Sequence, residues 1–458
     1  MATESQHIEQ DKKYEVIVLG GGESGVGAAL LASVNGLNVF LTDAGQLAPL
    51  YQRELEEHNI PFEQGGHSVD LILNGSLIIK SPGIPEKNDL MKKIRAKKIQ
   101  VISEIELAYR YKKDSKIVGI TGTNGKSTTT SLIYHICKEA GMDVALVGNI
   151  GISIARQVAL HPKALYVVEI SSFQLDDIQQ FRPDIAILLN ITEDHLDRYD
   201  YDIQKYIQSK FKIVQNQQPG DYFIYNADDP LITGHLKNIS ISSNLLPFSM
   251  KHEVSKGAYI KNSEMLIKLQ EEQVSMNIYD FVALKGKHNQ YNTMAAGITA
   301  SVLDIRKEKI RSAVQTFESL AHRMEFVATI RGVDFINDSK GTNLNSVWFA
   351  LESMEKPTVL IMGGVDKGND YSLIADLVSE KVKAIVCIGL DNQKIADAFK
   401  DIVGQIVQTT SMKDAVDQAY HLADKGDAVL LSPGCSSFDL FKNYMDRGDQ
   451  FKENVKNL

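Results

Sequence analysis

Cysteine is scarce in this chain. Cys137, Cys387 and Cys435 are the only three in 458 residues, and they stand far apart. Such spacing forms neither a metal-ligand cluster nor a disulfide framework. A basic excess is also missing: the formal net charge is -9, so the chain as a whole is not a basic nucleic-acid binder. A local basic run, Lys92, Lys93, Arg95, Lys97 and Lys98, has Ile94 and Ile99 opposite it, as the solvated face of a helix would. No apolar run reaches the roughly 18 residues needed to span a bilayer. The polar opening MATESQHIEQDKKYE holds no apolar signal core. The expectation is a monomer in a reducing cytoplasm, with no membrane insertion and no nucleic-acid partner. There is no nucleophile elbow, no metalloprotease helix, no short-period repeat and no low-complexity tract.

What is present is ordinary in bulk and specific in detail. Hydrophobic residues make up 43% and charged residues 23%, which suits a globular protein. The length suggests roughly three domains. The stretch Val118–Thr130, VGITGTNGKSTTT, follows a strand and opens a helix near Lys126. Its residues Gly122, Thr123, Asn124, Gly125, Lys126, Ser127 and Thr128 bring backbone N–H groups, a helix N-terminus and a cation to one point, which favours a triphosphate. The Ser127 hydroxyl is a suitable donor for phosphate-bound magnesium. The strict phosphate-loop pattern is broken, because Ile120 stands where its first glycine belongs.

Upstream, a strand at Glu15–Leu19 leads into Gly20–Gly25, a G-x-G-x-x-G turn that includes Ser24, and a second strand ends at Asp43. This unit suits a nucleotide or nucleotide sugar, with Asp43 placed for a ribose hydroxyl, although such glycine turns also arise for packing alone. A third strand, Leu77–Lys80, runs into Ser81-Pro82-Gly83, at the strand end where open α/β sheets bind ligands. A plain loop explains that turn equally well. Residues Val101–Tyr111 are expected to form a helix leading out of this domain.

Downstream, Val144–Val147 leads to Asn149, and Leu165–Val168 ends at Glu169, followed by Ser171 and Gln174. A carboxylate at that place is where a magnesium-binding acid is expected. His195 follows the strand Ile185–Leu189, on the same sheet edge. Lys210 falls in a helix, Tyr206–Gln215, and on physical grounds alone is a solvated helix lysine. Residues from about Ile239 to Asn277 alternate apolar and polar, as an antiparallel β insertion would. Asn289 and Asn292 precede a helix, where they either read a nucleotide base or cap the helix. Val327–Ile330 and Val333–Ile336 suit a hairpin around Arg331-Gly332, ending in the polar cluster Asn337–Asn343. Further strands end in Gly363–Gly368, which contains Lys367, and in Ser432–Asp439.

The expected fold is α/β in three domains, each a mostly parallel sheet with flanking helices. The boundaries are 1–113 (Rossmann-like), 114–319 (a P-loop-type ATPase) and 320–458 (Rossmann-like again). Three strand-end sites suggest an ATP-driven enzyme with two further substrates. A dinucleotide-binding oxidoreductase would rest on Gly20–Gly25 and Asp43 alone, and a nucleotide-sugar sensor would leave Lys126, Glu169 and His195 idle.

TGTNGKST at 121–128 resembles the ATP loop of the Mur ligases and folylpolyglutamate synthases. Residues Glu169–Leu175, Asn190–Asp197 and His322–Glu325 are similar to further signatures of that family. Asn337–Asn343 resembles the form found in its D-glutamate-adding members, and so does Leu431–Tyr444 with Arg447, Gly448 and Phe451 beyond it. The resemblance implies ATP-dependent amide-bond formation between UDP-N-acetylmuramoyl-L-alanine and D-glutamate through an acyl phosphate, in peptidoglycan precursor synthesis, with two magnesium ions. It implies phosphate and magnesium roles for Lys126, Ser127, Glu169 and His195. It makes Lys210 a carbamylated, magnesium-bridging residue. By the same resemblance Asn289, Asn292, Arg323 and Asp338 contact ATP. Ser24, Asp43, Ser81, Gly83, Asn149, Ser171 and Gln174 contact the nucleotide sugar, and Lys340, Thr342, Lys367, Ser437 and Tyr444 contact D-glutamate. The chain departs from the family pattern at Ala44-Gly45, where Thr-Arg is common, at Gly341 in place of alanine, and at Phe438 and Tyr444.

Overall fold

Three sheets carry the chain. The computed structural model describes residues 13–194, 196–262, 264–269, 272–277, 287–317, 321–366 and 368–458, with the backbone alone for 272–277, 287 and 288. His195 and Lys367 lie outside the described residues.

The first sheet has five parallel strands in the order Phe62–Gln64, Val39–Asp43, Val16–Leu19, Leu77–Lys80, Gln100–Ser103. Its central strands are near-continuous apolar runs because helices cover both faces. A Cβ at Gly25 would collide with the Gly20 carbonyl oxygen, so the glycine turn owes at least this residue to packing. The helix expected over Val101–Tyr111 begins only at Glu104. Val101 and Ile102 instead pair with Ile78 and Ile79 as an edge of the sheet, where β-branched side chains fit best.

The second sheet has nine strands: Glu272–Asn277, Glu264–Leu269, Gly257–Lys261, Asn244–Ser249, Tyr222–Asn226, Ile185–Leu188, Lys116–Thr121, Leu165–Glu169 and Val144–Gly148, in spatial order. The expected antiparallel insertion is only partly one. Asn244–Ser249 runs parallel to Tyr222–Asn226, and Gly257–Lys261 runs parallel to it in turn. Only the last three strands form an antiparallel meander. Alternation identifies a strand but carries no information on the direction of its neighbour.

The third sheet has six strands in the order Glu325–Ile330, Val333–Asn337, Ala428–Gly434, Thr358–Gly363, Val382–Ile388, Ile406–Thr409. Its first pair is the expected hairpin. Arg331 and Gly332 both have positive φ, 49° and 87°, which is the turn that matches strand twist. Among the described residues no helix is long and apolar enough to cross a membrane.

The chain divides into two compact units, the first holding the first two sheets and the second holding the third. Within the first unit, buried acids fasten one sheet layer to the other. Glu106 is fully buried, and one of its oxygens accepts the N–H groups of Gln179, Gln180 and Phe181 at 2.8–2.9 Å. Glu104 accepts the Ala155 N–H at 2.6 Å. Arg156 forms a two-pronged pair with Glu23, and Lys80 and Arg95 both reach Asp177.

Burial pushes the Glu104 carboxyl up to about 7, and the nearby Glu23 charge adds to the effect. Between an unfolded value near 4.5 and this folded value, the folded chain holds a proton that the unfolded chain has released. Stability therefore falls as pH rises through that window, by roughly 3 kcal/mol at most. Glu104→Gln should unfold with a flatter pH dependence between pH 5 and 8 than the parent protein. Urea titrations that gave parallel pH profiles for both proteins would contradict this.

Candidate functional site

The phosphate loop is rigidly framed. Gly122 and Gly125 have φ of 149° and 83°, conformations open to glycine, and Gly125 caps the helix Lys126–Glu139. The Asn190 side chain accepts the Asn124 N–H at 2.8 Å and donates to the Asn124 carbonyl at 3.0 Å. The Thr123 hydroxyl donates to the Thr192 carbonyl and accepts the Thr192 N–H. The Lys126 ammonium rests on the loop's own carbonyls, donating to Gly122 at 2.9 Å and to Thr123 at 2.7 Å. Ser127 and Thr128 sit buried in the first turn of the helix.

Glu169 pairs in register with Ile120, at the C-terminal end of the neighbouring strand. It is 1% exposed, and Asn149 donates to one carboxylate oxygen at 3.0 Å. The other oxygen, Oε2, is buried without a hydrogen-bond partner. A buried carboxylate oxygen left open is costly unless something positive meets it. Among the described residues no three His, Cys, Asp or Glu side chains gather into a metal cage. Magnesium held on phosphates does not need one: a carboxylate and a hydroxyl supply the hard oxygens, and phosphate oxygens and waters supply the rest. Glu169 and Ser127 fit that requirement.

Lys210 contradicts its expected solvation. It is 1% exposed on the helix Ile203–Phe211, lies over the Tyr206 ring at 4.4 Å, and donates to the Gly122 carbonyl at 2.8 Å. Burial, and then repulsion from Lys126, hold its ammonium well below the usual lysine range. Two lysines thus converge on one loop carbonyl. A cue existed in the sequence: Lys210 falls on the stripe of Tyr206, Ile207 and Phe211, one helical turn apart, so it shares the inward face.

Ser171 and Gln174 form a reciprocal cap on the short helix that follows Glu169. The Gln174 side-chain oxygen accepts from both the N–H and the hydroxyl of Ser171. At the first sheet, Ser24 lies in the first turn of the helix Glu23–Val34. The two Asp43 oxygens accept the N–H groups of Gly21 at 2.5 Å and Gly45 at 2.7 Å. That carboxylate braces the glycine turn, a task the ribose expectation did not include. The Ser81 hydroxyl is buried without a partner. The carbonyls of Pro82 and Gly83 accept from Arg198, a residue that belongs to none of the sequence motifs.

In the second unit, Asp338 is buried, and burial pushes its carboxyl up to about 6 against the pull of Arg323. Its oxygens accept from the Ser432 hydroxyl at 2.8 Å and the Met324 N–H at 3.3 Å. A Cβ at Gly341 would stand 2.5 Å from the Asp338 carboxylate. An alanine at this position would therefore require the Asp338 carboxylate to shift. The Lys340 ammonium lies 5.7 Å from the centre of the Tyr444 ring. Arg447, fully buried, ties the Asp338–Lys340 turn to the Cys435 turn, donating to the hydroxyl and carbonyl of Ser339 and to the Cys435 carbonyl. Thr342 precedes the helix-capping Asn343, and Ser437 is buried beyond Cys435. On the helix Lys287–Val302, Asn292 donates to the Asn289 side chain at 3.2 Å.

Residues 120–300 match the Mur ligase middle domain, and residues 322–435 match the Mur ligase glutamate ligase domain. The chain belongs to the Mur ligase family. It is 52% identical to the UDP-N-acetylmuramoylalanine–D-glutamate ligase of Bacteroides thetaiotaomicron over 446 residues. It is 50% identical to that of Porphyromonas gingivalis strain W83 over 453 residues. Each comparison covers 97% of this chain and 99% of the relative. Its fold resembles the solved UDP-N-acetylmuramate-alanine ligase of Thermotoga maritima, with a TM-score of 0.62 at 17% identity over 97% of this chain and 99% of that one.

This Mur ligase gathers Lys126, Ser127, Glu169, Asn149 and Lys210 around one sheet end, and Asp338, Lys340 and Tyr444 around another. Asn190, Thr192, Arg198 and Arg447 hold these pieces in place; of the four, Arg198 alone lies outside the stretches that resemble family signatures.

Proposed function

We infer that this Mur ligase joins D-glutamate to UDP-N-acetylmuramoyl-L-alanine, converting ATP to ADP and phosphate. The observation that carries the reading is the convergence of the phosphate loop, the open oxygen of Glu169 and two lysines at one strand end. A carboxylate is a poor electrophile until one of its oxygens becomes a leaving group. Phosphorylation by ATP makes the alanyl carboxylate an acyl phosphate, and the D-glutamate amine then attacks its carbonyl carbon and releases phosphate. The amine gives up a proton in that step.

On this reading the segments 1–113, 114–319 and 320–458 take the nucleotide sugar, ATP and the amino acid. Lys126 leaves the loop carbonyls for the phosphates and offsets charge as it builds up. Ser127 and Glu169 would hold magnesium, with His195 and a carbamylated Lys210 as further ligands, and the ion would supply positive charge to offset that of the phosphates. Asn149 orients the Glu169 carboxylate through their hydrogen bond. Asn289, Asn292, Arg323 and Asp338 serve the nucleotide. Lys340, Thr342, Lys367, Ser437 and Tyr444 serve D-glutamate, whose two carboxylates suit two lysines. Ser24, Asp43, Ser81 and Gly83 serve the uridine diphosphate end, and Ser171 and Gln174 shape the adjoining wall.

The 50–52% identity over nearly the whole chain supports D-glutamate over other amino acids. Phosphate release from ATP should require magnesium, UDP-N-acetylmuramoyl-L-alanine and D-glutamate together. Across a panel of amino acids, release with L-lysine, L-alanine or diaminopimelate but not with D-glutamate would overturn the assignment.

A further inference from the structure

Arg198 stands on a short helical turn, Leu196–Tyr199, that follows a strand of the second sheet. Its guanidinium crosses to the first sheet. One terminal nitrogen donates to the Pro82 carbonyl at 2.7 Å, and the other donates to the Gly83 carbonyl at 2.6 Å. A planar fork matches two successive carbonyls in a way that the point charge of a lysine cannot. The guanidinium also lies over an aromatic ring: its carbon is 4.2 Å from the centre of the Phe173 ring. A cation over a ring at this distance is attracted to it, which gives the fork a second anchor.

Phe173 is itself tied to the second sheet. It lies in the short helix after Glu169, stacked on Tyr199 with ring centres 6.1 Å apart. The Tyr199 hydroxyl donates to Asp176 at 3.0 Å and is within 3.2 Å of the Ser209 hydroxyl. Ser209 adjoins Lys210. A continuous set of contacts therefore runs from the helix of Lys210, through Tyr199 and Phe173, to Arg198 and the Ser81-Pro82-Gly83 turn. Within that turn the Ser81 hydroxyl is buried with no protein partner, which leaves it open to a ligand.

We propose that Arg198 is a positioning residue for the nucleotide sugar: its fork locks the Ser81-Pro82-Gly83 turn to the ATP-binding layer, so that the nucleoside diphosphate is held at a fixed offset from the phosphate loop. The proposal rests on the assignment of Ser81 and Gly83 to the nucleotide-sugar site. A fixed offset matters because the carboxylate to be phosphorylated lies at the far end of that substrate. A small displacement of one end spoils the approach at the other. A simple strut between layers would lower stability when removed without selecting among substrates.

The test separates these roles. Steady-state kinetics of Arg198→Ala, run well below its unfolding temperature, should raise the KM for UDP-N-acetylmuramoyl-L-alanine at least tenfold, lower kcat, and leave the KM values for ATP and D-glutamate within twofold. Arg198→Lys, which keeps the charge and loses the fork, should lie between the two. Guanidinium chloride at tens of millimolar should lower the raised KM of Arg198→Ala, and urea at the same concentration should not. An unchanged KM for the nucleotide sugar, or equal rises for all three substrates, overturns the proposal. If Arg198→Ala does not fold, the lysine variant decides by the same criteria. Failure of the wild-type protein to release phosphate in a nucleotide-sugar-dependent manner would instead overturn the functional assignment beneath it.

Discussion

Lys126→Ala should abolish the nucleotide-sugar-dependent release of phosphate, lowering kcat by about a thousandfold or more. Lys126 is the first residue of its helix, so its ammonium adds a full charge to the partial positive charge of the helix end. Phosphoryl transfer involves little covalent work by the protein, and most of the acceleration comes from positioning and from charge met as it develops. A single well-placed cation in such a site is worth several kcal/mol. The fold should survive, because the ammonium bonds to the Gly122 and Thr123 carbonyls at a half-exposed point and leaves no buried charge unpaired. Thermal unfolding within a few degrees of wild type, with activity below the assay floor, is the expected pair of results. Retention of more than a tenth of the wild-type rate would remove Lys126 from the phosphate site.

The second large effect concerns Lys210. Lys210→Ala should lose about a hundredfold or more in kcat, and Lys210→Arg should lose nearly as much although it keeps a cation. The reason lies in the nitrogen. A protonated amine cannot add to carbon dioxide, whereas a neutral one can, giving a carbamate and a released proton. Burial and the Lys126 charge both favour the neutral form. A carbamate still has an N–H to give the Gly122 carbonyl, and its carboxylate offers the oxygens that magnesium prefers. Arginine has no such route. Formate added to Lys210→Ala should restore part of the rate by supplying a carboxylate to the space left. Full activity in Lys210→Arg would show that the site needs only a cation, and the carbamate reading would fall.

Motifs that place backbone and charge together were legible from the sequence. The phosphate loop, the Glu169 strand end and the Arg331-Gly332 hairpin each combine a periodicity with a turn signal, and each is found where expected. In the third sheet the strands that lead to Gly363 and Ser432 follow from the same logic, whereas the edge strand Ile406–Thr409 was not anticipated. Three further things were not legible. Val101 and Ile102 carry β-branched side chains directly before an acidic helix start, and propensity alone does not say which of the two elements owns them. The direction of Asn244–Ser249 depends on which edge of the central sheet was free, a tertiary fact. Asn190, Thr192 and Arg447 fall in stretches that resemble family signatures, but the distant segments that they and Arg198 brace leave no trace in local spacing. Lys210 is the intermediate case: its charge suggested water, while its helical neighbours Tyr206, Ile207 and Phe211 pointed inward.

The acids of the helix Glu104–Tyr111 bear on how such chains can be recombined. Glu106 holds three N–H groups of the Gln179–Phe181 turn, and Glu104 holds one at Ala155. A chimera joined near Tyr111, with its first segment taken from a distant family member, would therefore be cut at the wrong seam. It would strand two buried carboxyl groups in one parent and open four backbone donors in the other. A productive crossover carries residues 153–156 and 179–181 along with the first segment, so the unit of exchange is discontinuous in sequence even though the joint in the chain looks like a linker.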